Sequence, residues 1–161
     1  MLELLPEIGM LQAERAPCPA MSELASSNSY LYQTHGEPVR GLPHLQALWG
    51  EPLSDAQHAA LVEAVQRLEA RKVVAITGDC GAMLHYQDQV AKLTSRPVLL
   101  SALLQAPLLA TIFRADEQVL VLTADKRATT DAVLQQLLLR TGLPSHALGR
   151  FPLVGWHAGC G

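Results

Sequence analysis

Cys80 is the residue in this sequence best placed to do chemistry. It stands in Thr77-Gly78-Asp79-Cys80-Gly81, directly after the β-branched run Val73-Val74-Ala75-Ile76-Thr77 and before a segment with helical spacing. A thiol at a helix start sits among N–H groups that no helical carbonyl accepts. Their positive end favours the thiolate, a base or nucleophile near neutral pH. The same N–H groups can hold a carboxylate, and Gly78 and Gly81 let a ligand approach the backbone closely. The opposing reading is a small apolar side chain that packs at a strand end. Asp79 complicates the chemistry, because a carboxylate facing the thiol opposes its ionisation and repels an anionic substrate unless it points away.

Two further strand-end turns carry hydroxyls, Ser101-Ala102 and Thr123-Ala124-Asp125. Ser101 and Thr123 can each bind a substrate oxygen, although serine and threonine also cap helices for structural reasons alone. Asp125 reads equally well as a turn residue. His85 follows Cys80 by roughly a turn, where a solvated helix position is the commoner role. Cys18 lies between Pro17 and Pro19, and Cys160 is the penultimate residue; neither has a helix-start setting. No Cys-x-x-Cys or His/Cys cluster suggests a metal, and no Gly-x-Gly-x-x-Gly or phosphate-loop motif suggests a nucleotide, so no cofactor is expected.

These turns need a scaffold that places them together. Ser54-Asp55-Ala56-Gln57 forms a capping box, and Leu61, Ala64, Val65 and Leu68 follow at helical spacing, which predicts a helix over 54–71. Val73–Thr77 is apolar on both faces, as a buried parallel strand is. Gly81–Leu93 reads as a helix, Pro97–Leu100 as a strand, and Ser101–Ile112 as a helix bent or split at Pro107. Gln118–Thr123 is a third strand and Thr130–Arg140 a helix, with Gly142 suited to its C-terminal turn. Glu7–Leu11 reads as a first strand and Phe151–Val154 as the start of another. Residues 12–50 read as long loops around one or two short extended pieces. The alternation predicts an α/β fold: an open parallel sheet with right-handed crossovers and helices on both faces.

The chain has 161 residues, 49% of them hydrophobic and 17% charged, with a formal net charge of -3. That composition excludes a disordered chain, and the absence of a basic cluster argues against a nucleic-acid partner. Three widely spaced cysteines are not a disulfide framework. No signal segment or membrane span is evident, so a soluble cytoplasmic protein with reduced thiols is expected.

The ordered motifs Ile76–Gly81, Tyr86-Gln87, Arg96-Pro97-Val98, Ser101–Pro107 and Val121–Asp125 resemble the aspartate/glutamate/hydantoin racemase superfamily. Ile8–Leu11 and Glu37–Arg40 are similar to its first strand and first loop, and the resemblance is good from about Pro38 to Gly142. It implies two similar α/β halves facing a cleft, with one cysteine from each exchanging a proton at the carbon next to a carboxylate or hydantoin carbonyl, without a cofactor. On that basis Cys80 is the catalytic cysteine of the first half. Thr77, Asp79, Gly81, Ala82, Ser101 and Thr123 form the substrate-binding set for a small carboxylate or amino-acid-like molecule. The halves would be residues 1–117, loop-rich over 1–50, and an incomplete 118–161. The second cysteine motif is absent, so the chain reads as truncated relative to that superfamily. Two alternatives stay open: a non-catalytic remnant that binds a small anion, and a one-cysteine decarboxylase or isomerase. A half lacking its counterpart exposes apolar surface, so homo-oligomerisation is expected. Sedimentation velocity across a concentration series should show self-association; a monomer at every concentration would contradict it.

Overall fold

The capping box at Ser54 forms as its residue types require: Ser54 Oγ accepts from the Gln57 N–H at 3.3 Å, and Gln57 Oε1 accepts from the Ser54 N–H at 2.8 Å. This is a computed structural model that describes residues 5–14, 30–123, 126 and 128–155. The helix that starts here, α2 (Asp55–Ala70), follows a short α1 (His44–Trp49). The α2 stripe Leu61, Ala64, Val65 and Leu68 is buried against Leu11, Val39, Ile76, Met83, Tyr86 and Leu100. Full burial of each large aliphatic side chain contributes about 1.5–3 kcal/mol over its exposed state.

Strands β1 (Ile8–Glu14), β2 (Thr34–Pro43), β3 (Ala75–Gly78) and β4 (Val98–Leu99) form a parallel sheet in the order β2-β1-β3-β4. The ten-residue β2 replaces the loops expected within 12–50. Gly36, Pro38 and Gly41 hide it in the sequence, but β2 lies at the sheet margin, where a proline is tolerated. The buried Glu37 ties β2 to α2: Arg67 Nε donates to its Oε2 at 2.7 Å, and Arg71 Nη2 donates to its Oε1 at 3.4 Å. The Glu37 hydrogen bond raises the Arg67 pKa further above its ordinary value, which keeps the guanidinium charged.

Between β3 and β4 the chain forms a 3₁₀ helix, Gly81–Tyr86, and then α3 (Gln87–Ala91). A continuous helix over Gly81–Leu93 is therefore corrected to two short pieces. Ala82, Met83, Leu84 and Tyr86 are all buried, a crowded pattern that a single α-helical stripe does not produce. Helix α2 and the 81–91 segment pack on one face of this sheet, in one buried cluster with Leu11, Val39 and Ile76. No helix among the described residues is long and apolar enough to cross a membrane.

The chain divides into two compact units, Met1–Ser101 and Ala102–Gly161. The packing division thus falls N-terminal to the 117/118 junction drawn from the strand alternation, and α4 (Ala106–Ile112) packs within the second unit. A 3₁₀ turn at Ala102–Gln105 precedes α4, and Pro107 sits in the α4 first turn, where its missing N–H leaves no helical bond unmade. Strand β5 (Val121–Thr123) pairs in parallel with β6 (Leu153–Gly155), in a sheet of their own. This corrects the expectation that the third strand joins the sheet of β3 and β4. Thr130 caps α5 (Asp131–Arg140) by accepting from the Val133 N–H at 3.3 Å, and Gly142 takes a φ of 85° beyond its end. The Arg150 guanidinium reaches the carbonyls of Ala110 at 2.8 Å and Arg114 at 2.7 Å, satisfying backbone oxygens at the end of α4.

Glu37→Gln keeps the shape of the buried carboxylate and removes its charge. Thermal unfolding should show a Tm lower by on the order of 5 °C. An unchanged Tm would mean that β2 and α2 are held together without this ion pair.

Candidate active site

The strand order places β3 beside β1 although β2 intervenes in the chain, so the connection leaving β1 and the connection leaving β3 run in opposite directions. In open parallel sheets ligands bind at the carboxyl ends of the strands where such a reversal occurs. The turn that leaves β3 there is Gly78-Asp79-Cys80-Gly81. Cys80 is extended, with φ -138° and ψ 136°, and its carbonyl accepts the Met83 N–H at 3.0 Å to start the 3₁₀ helix. Its thiol is half-buried. Gly81 and Ala82 precede the first N–H bonded within that helix.

Asp79 is stitched to the carboxyl end of β1. Its N–H donates to Leu11 O at 3.0 Å, and its Oδ1 accepts from the Ala13 N–H at 3.4 Å. One oxygen of the carboxylate is therefore committed to β1. Gly78 has a packing reason and not a ligand reason: a Cβ there would lie 2.6 Å from Leu100 O and 2.8 Å from Met83 Cβ. Only a residue without a side chain lets the ends of β3 and β4 come this close.

Ser101 follows β4 and is 7% exposed. A Cβ on the exposed Gly81 would lie 3.6 Å from Ser101 Oγ, so the Cys80 turn and the Ser101 hydroxyl are neighbours with little between them. Thr77 points to the opposite sheet face from Ile76, and its hydroxyl donates to Leu99 O at 2.8 Å. With that proton engaged, Thr77 has only acceptor capacity left. Ala82 keeps its methyl buried and offers the site backbone alone.

Thr123 belongs to the second unit, where its hydroxyl donates to Thr129 Oγ1 at 3.0 Å. Cys18, Asp125 and Cys160 lie outside the described residues. His85 packs against Gly50 at the end of α1. The Tyr86 hydroxyl donates to Glu51 O at 3.0 Å, and burial, followed by the Glu51 charge, raises its pKa and keeps it a neutral phenol. The short 3₁₀ helix and the five-residue α3 align few peptide dipoles behind Cys80. The long helix invoked to favour its thiolate is corrected to the local N–H groups of the turn. A shallow hollow of about 420 Å³ is lined by Pro6, Ile8, Tyr32, Ala75, Ile76, Thr77 and Leu99. Its lining is mostly apolar and includes neither Cys80 nor Ser101.

No family model matches the chain. It is 46% identical over 132 residues to "Dimethylsulfoniopropionate lyase 5" of Emiliania huxleyi (strain CCMP1516), a match covering 82% of this chain and 26% of that protein. It is 31% identical over 120 residues to "Dimethylsulfoniopropionate lyase 3" of the same organism, covering 74% of this chain and 31% of that protein. The chain thus spans between a quarter and a third of the length of these relatives. A 132-residue match within 161 residues includes everything from 30 to 132, wherever it starts, and so contains Cys80, Ser101 and Thr123. The resemblance to the aspartate/glutamate/hydantoin racemases is overturned by these findings: the similar proteins are named as lyases. The racemase activity inferred from that resemblance falls with it.

Gly78→Ala should force β3 and β4 apart, lowering Tm and changing the rate at which iodoacetamide alkylates Cys80 by at least about threefold. Overpacking of this kind costs about 1–3 kcal/mol. Wild-type Tm and alkylation rate in this variant would show that the two strand ends are not held at contact distance.

Proposed function

We propose that the Cys80 turn belongs to a lyase site that eliminates dimethyl sulfide from dimethylsulfoniopropionate or a close β-sulfonium carboxylate. The observation that carries this reading is the 46% identity to "Dimethylsulfoniopropionate lyase 5" over a span that includes the turn. The chemistry suits the residues. The Cys80 thiolate takes the proton from the carbon next to the carboxylate. The electron pair of that C–H bond becomes the new C=C bond, and the β C–S bond breaks with its pair going to sulfur. Dimethyl sulfide, acrylate and the protonated thiol result, and no oxidant or reductant is consumed.

Elimination needs one base on one face of the substrate carbon, whereas racemisation needs two. A single cysteine at a strand end is therefore sufficient. The weakly acidic C–H bond must be activated by hydrogen bonds to the carboxylate, on which charge grows as the proton leaves. The Ser101 hydroxyl neighbours the Cys80 turn, whose own Gly81 and Ala82 N–H groups follow the thiol directly, and we assign these donors that role. Thr77 is not among them, because its proton is held by Leu99 O. Asp79 fits this substrate better than a simple anion. A zwitterion carries a sulfonium cation, and a carboxylate near the thiol attracts that end. A reducing compartment, the cytoplasm, would keep the thiol in its working form.

Dimethyl sulfide in the headspace and acrylate in solution should both appear when the chain is incubated with dimethylsulfoniopropionate. Cys80→Ser is expected to lower kcat/KM by about 10²–10⁴, the range for loss of a positioned base. Ser101→Ala should lower it by roughly 10–100-fold, less than a complete oxyanion donor loss. Release by Cys80→Ser at the parent rate would sink the reading.

A further inference from the structure

Among the described residues strand β4 is an edge strand, so one side of its backbone faces no further strand there. Gln87 occupies that side. Its Nε2 donates to Val98 O at 2.8 Å, and its Oε1 accepts from the Leu100 N–H at 3.0 Å. In a parallel ladder a residue bonds in this manner to the positions before and after its partner. The Gln87 carboxamide therefore stands in for one peptide unit of a missing strand. On the other side of β4, Ile76 N–H donates to Pro97 O at 2.9 Å, and the Thr77 hydroxyl donates to Leu99 O.

We infer that Gln87 is a positioning residue for the Ser101 turn, setting its place against the Cys80 turn. The inference rests on the elimination reading, in which Ser101 helps to hold the substrate carboxylate. β4 itself is two residues long, too short to fix the chain beyond it by its own ladder. The two residues that grip its end, Thr77 and Gln87, lie on either side of Cys80 in the sequence. Gln87 ends the 3₁₀ segment that begins directly after Cys80, so one short stretch of chain carries the thiol at its start and the clamp at its end. The clamp needs a donor and an acceptor at the reach of a glutamine side chain. Glutamate lacks the donor, lysine lacks the acceptor, asparagine is one methylene short, and methionine has neither.

The test uses the whole chain with Gln87→Met, read with acrylate as the carboxylate probe. The Leu100 amide should exchange with solvent about tenfold faster or more, as expected when a local protecting bond is lost. The Kd for acrylate, followed at the Ser101 amide by NMR titration, should rise at least about fivefold, and KM for dimethylsulfoniopropionate should rise with it. The Cys80 alkylation rate should stay within about twofold, which shows that the fold and the thiol turn survive. Faster Leu100 exchange with an unchanged Kd and KM would reduce Gln87 to a structural residue and overturn the inference. Gln87→Lys keeps a donor and loses the acceptor for the Leu100 N–H; it carries the same readouts if Gln87→Met does not fold, and failure of both to fold also overturns a positioning role. A parent chain that binds acrylate but releases no dimethyl sulfide removes the elimination reading, while the Kd comparison still decides the inference. A parent that binds no acrylate overturns both.

Discussion

The first unit depends on β3 being bonded on both sides along only four residues. A strand that short has no length to spare. Its backbone groups must meet β1 on one side and β4 on the other, while Ile76 fills the core beneath. Everything at its carboxyl end follows from keeping those two neighbours close. Gly78 removes the side chain that would push β4 away, and Asp79 extends the grip on β1 with both its N–H and its carboxylate. The thiol of Cys80 is then carried on a turn with contacts to three strands and not on a loose loop. Rigidity of that kind suits the role of base proposed for Cys80 in the elimination.

Much of this scaffold was legible in the sequence because it is local. The Ser54 box, the α2 stripe, the β-branched run of β3 and the Thr130 cap each depend on residues a few positions apart. What stayed hidden depends on distant partners. β2 carries two glycines and two prolines that suggest loops, and only its marginal place in the sheet makes them tolerable. The pairing of β5 with β6 joins residues about thirty positions apart, and no spacing within either strand announces it. Nor does the sequence say that Gly78 meets Leu100, or that Asp79 turns toward Ala13.

The site shows the same division. A thiol turn and hydroxyl turns at strand ends are readable as residue types at turns. They do not describe what leaves. Proton removal beside a carboxylate begins both a racemisation and an elimination, and the two part only at the β-carbon. No residue type at Cys80, Ser101 or Thr77 distinguishes a substrate whose β-substituent departs from one whose β-substituent stays. The racemase resemblance is overturned by the similarity to proteins named as lyases, and only in the proposed elimination does a β-substituent leave. The hydroxyl of Thr77 shows how geometry then revises a role. The residue type allows donation to substrate, but the proton is spent on β4.

Pro38 in the outermost strand has a consequence for the behaviour of the protein in a crowded solution. A sheet margin with every N–H and C=O free is a template onto which another chain can zip. On the β2 side the proline ring and its missing N–H break that template midway, and the register shift between Gln12 and Glu14 twists the neighbouring ladder. On the opposite margin the template is capped by a side chain. Among the described residues, both margins of the sheet are thereby blunted against growing sideways into an aggregate.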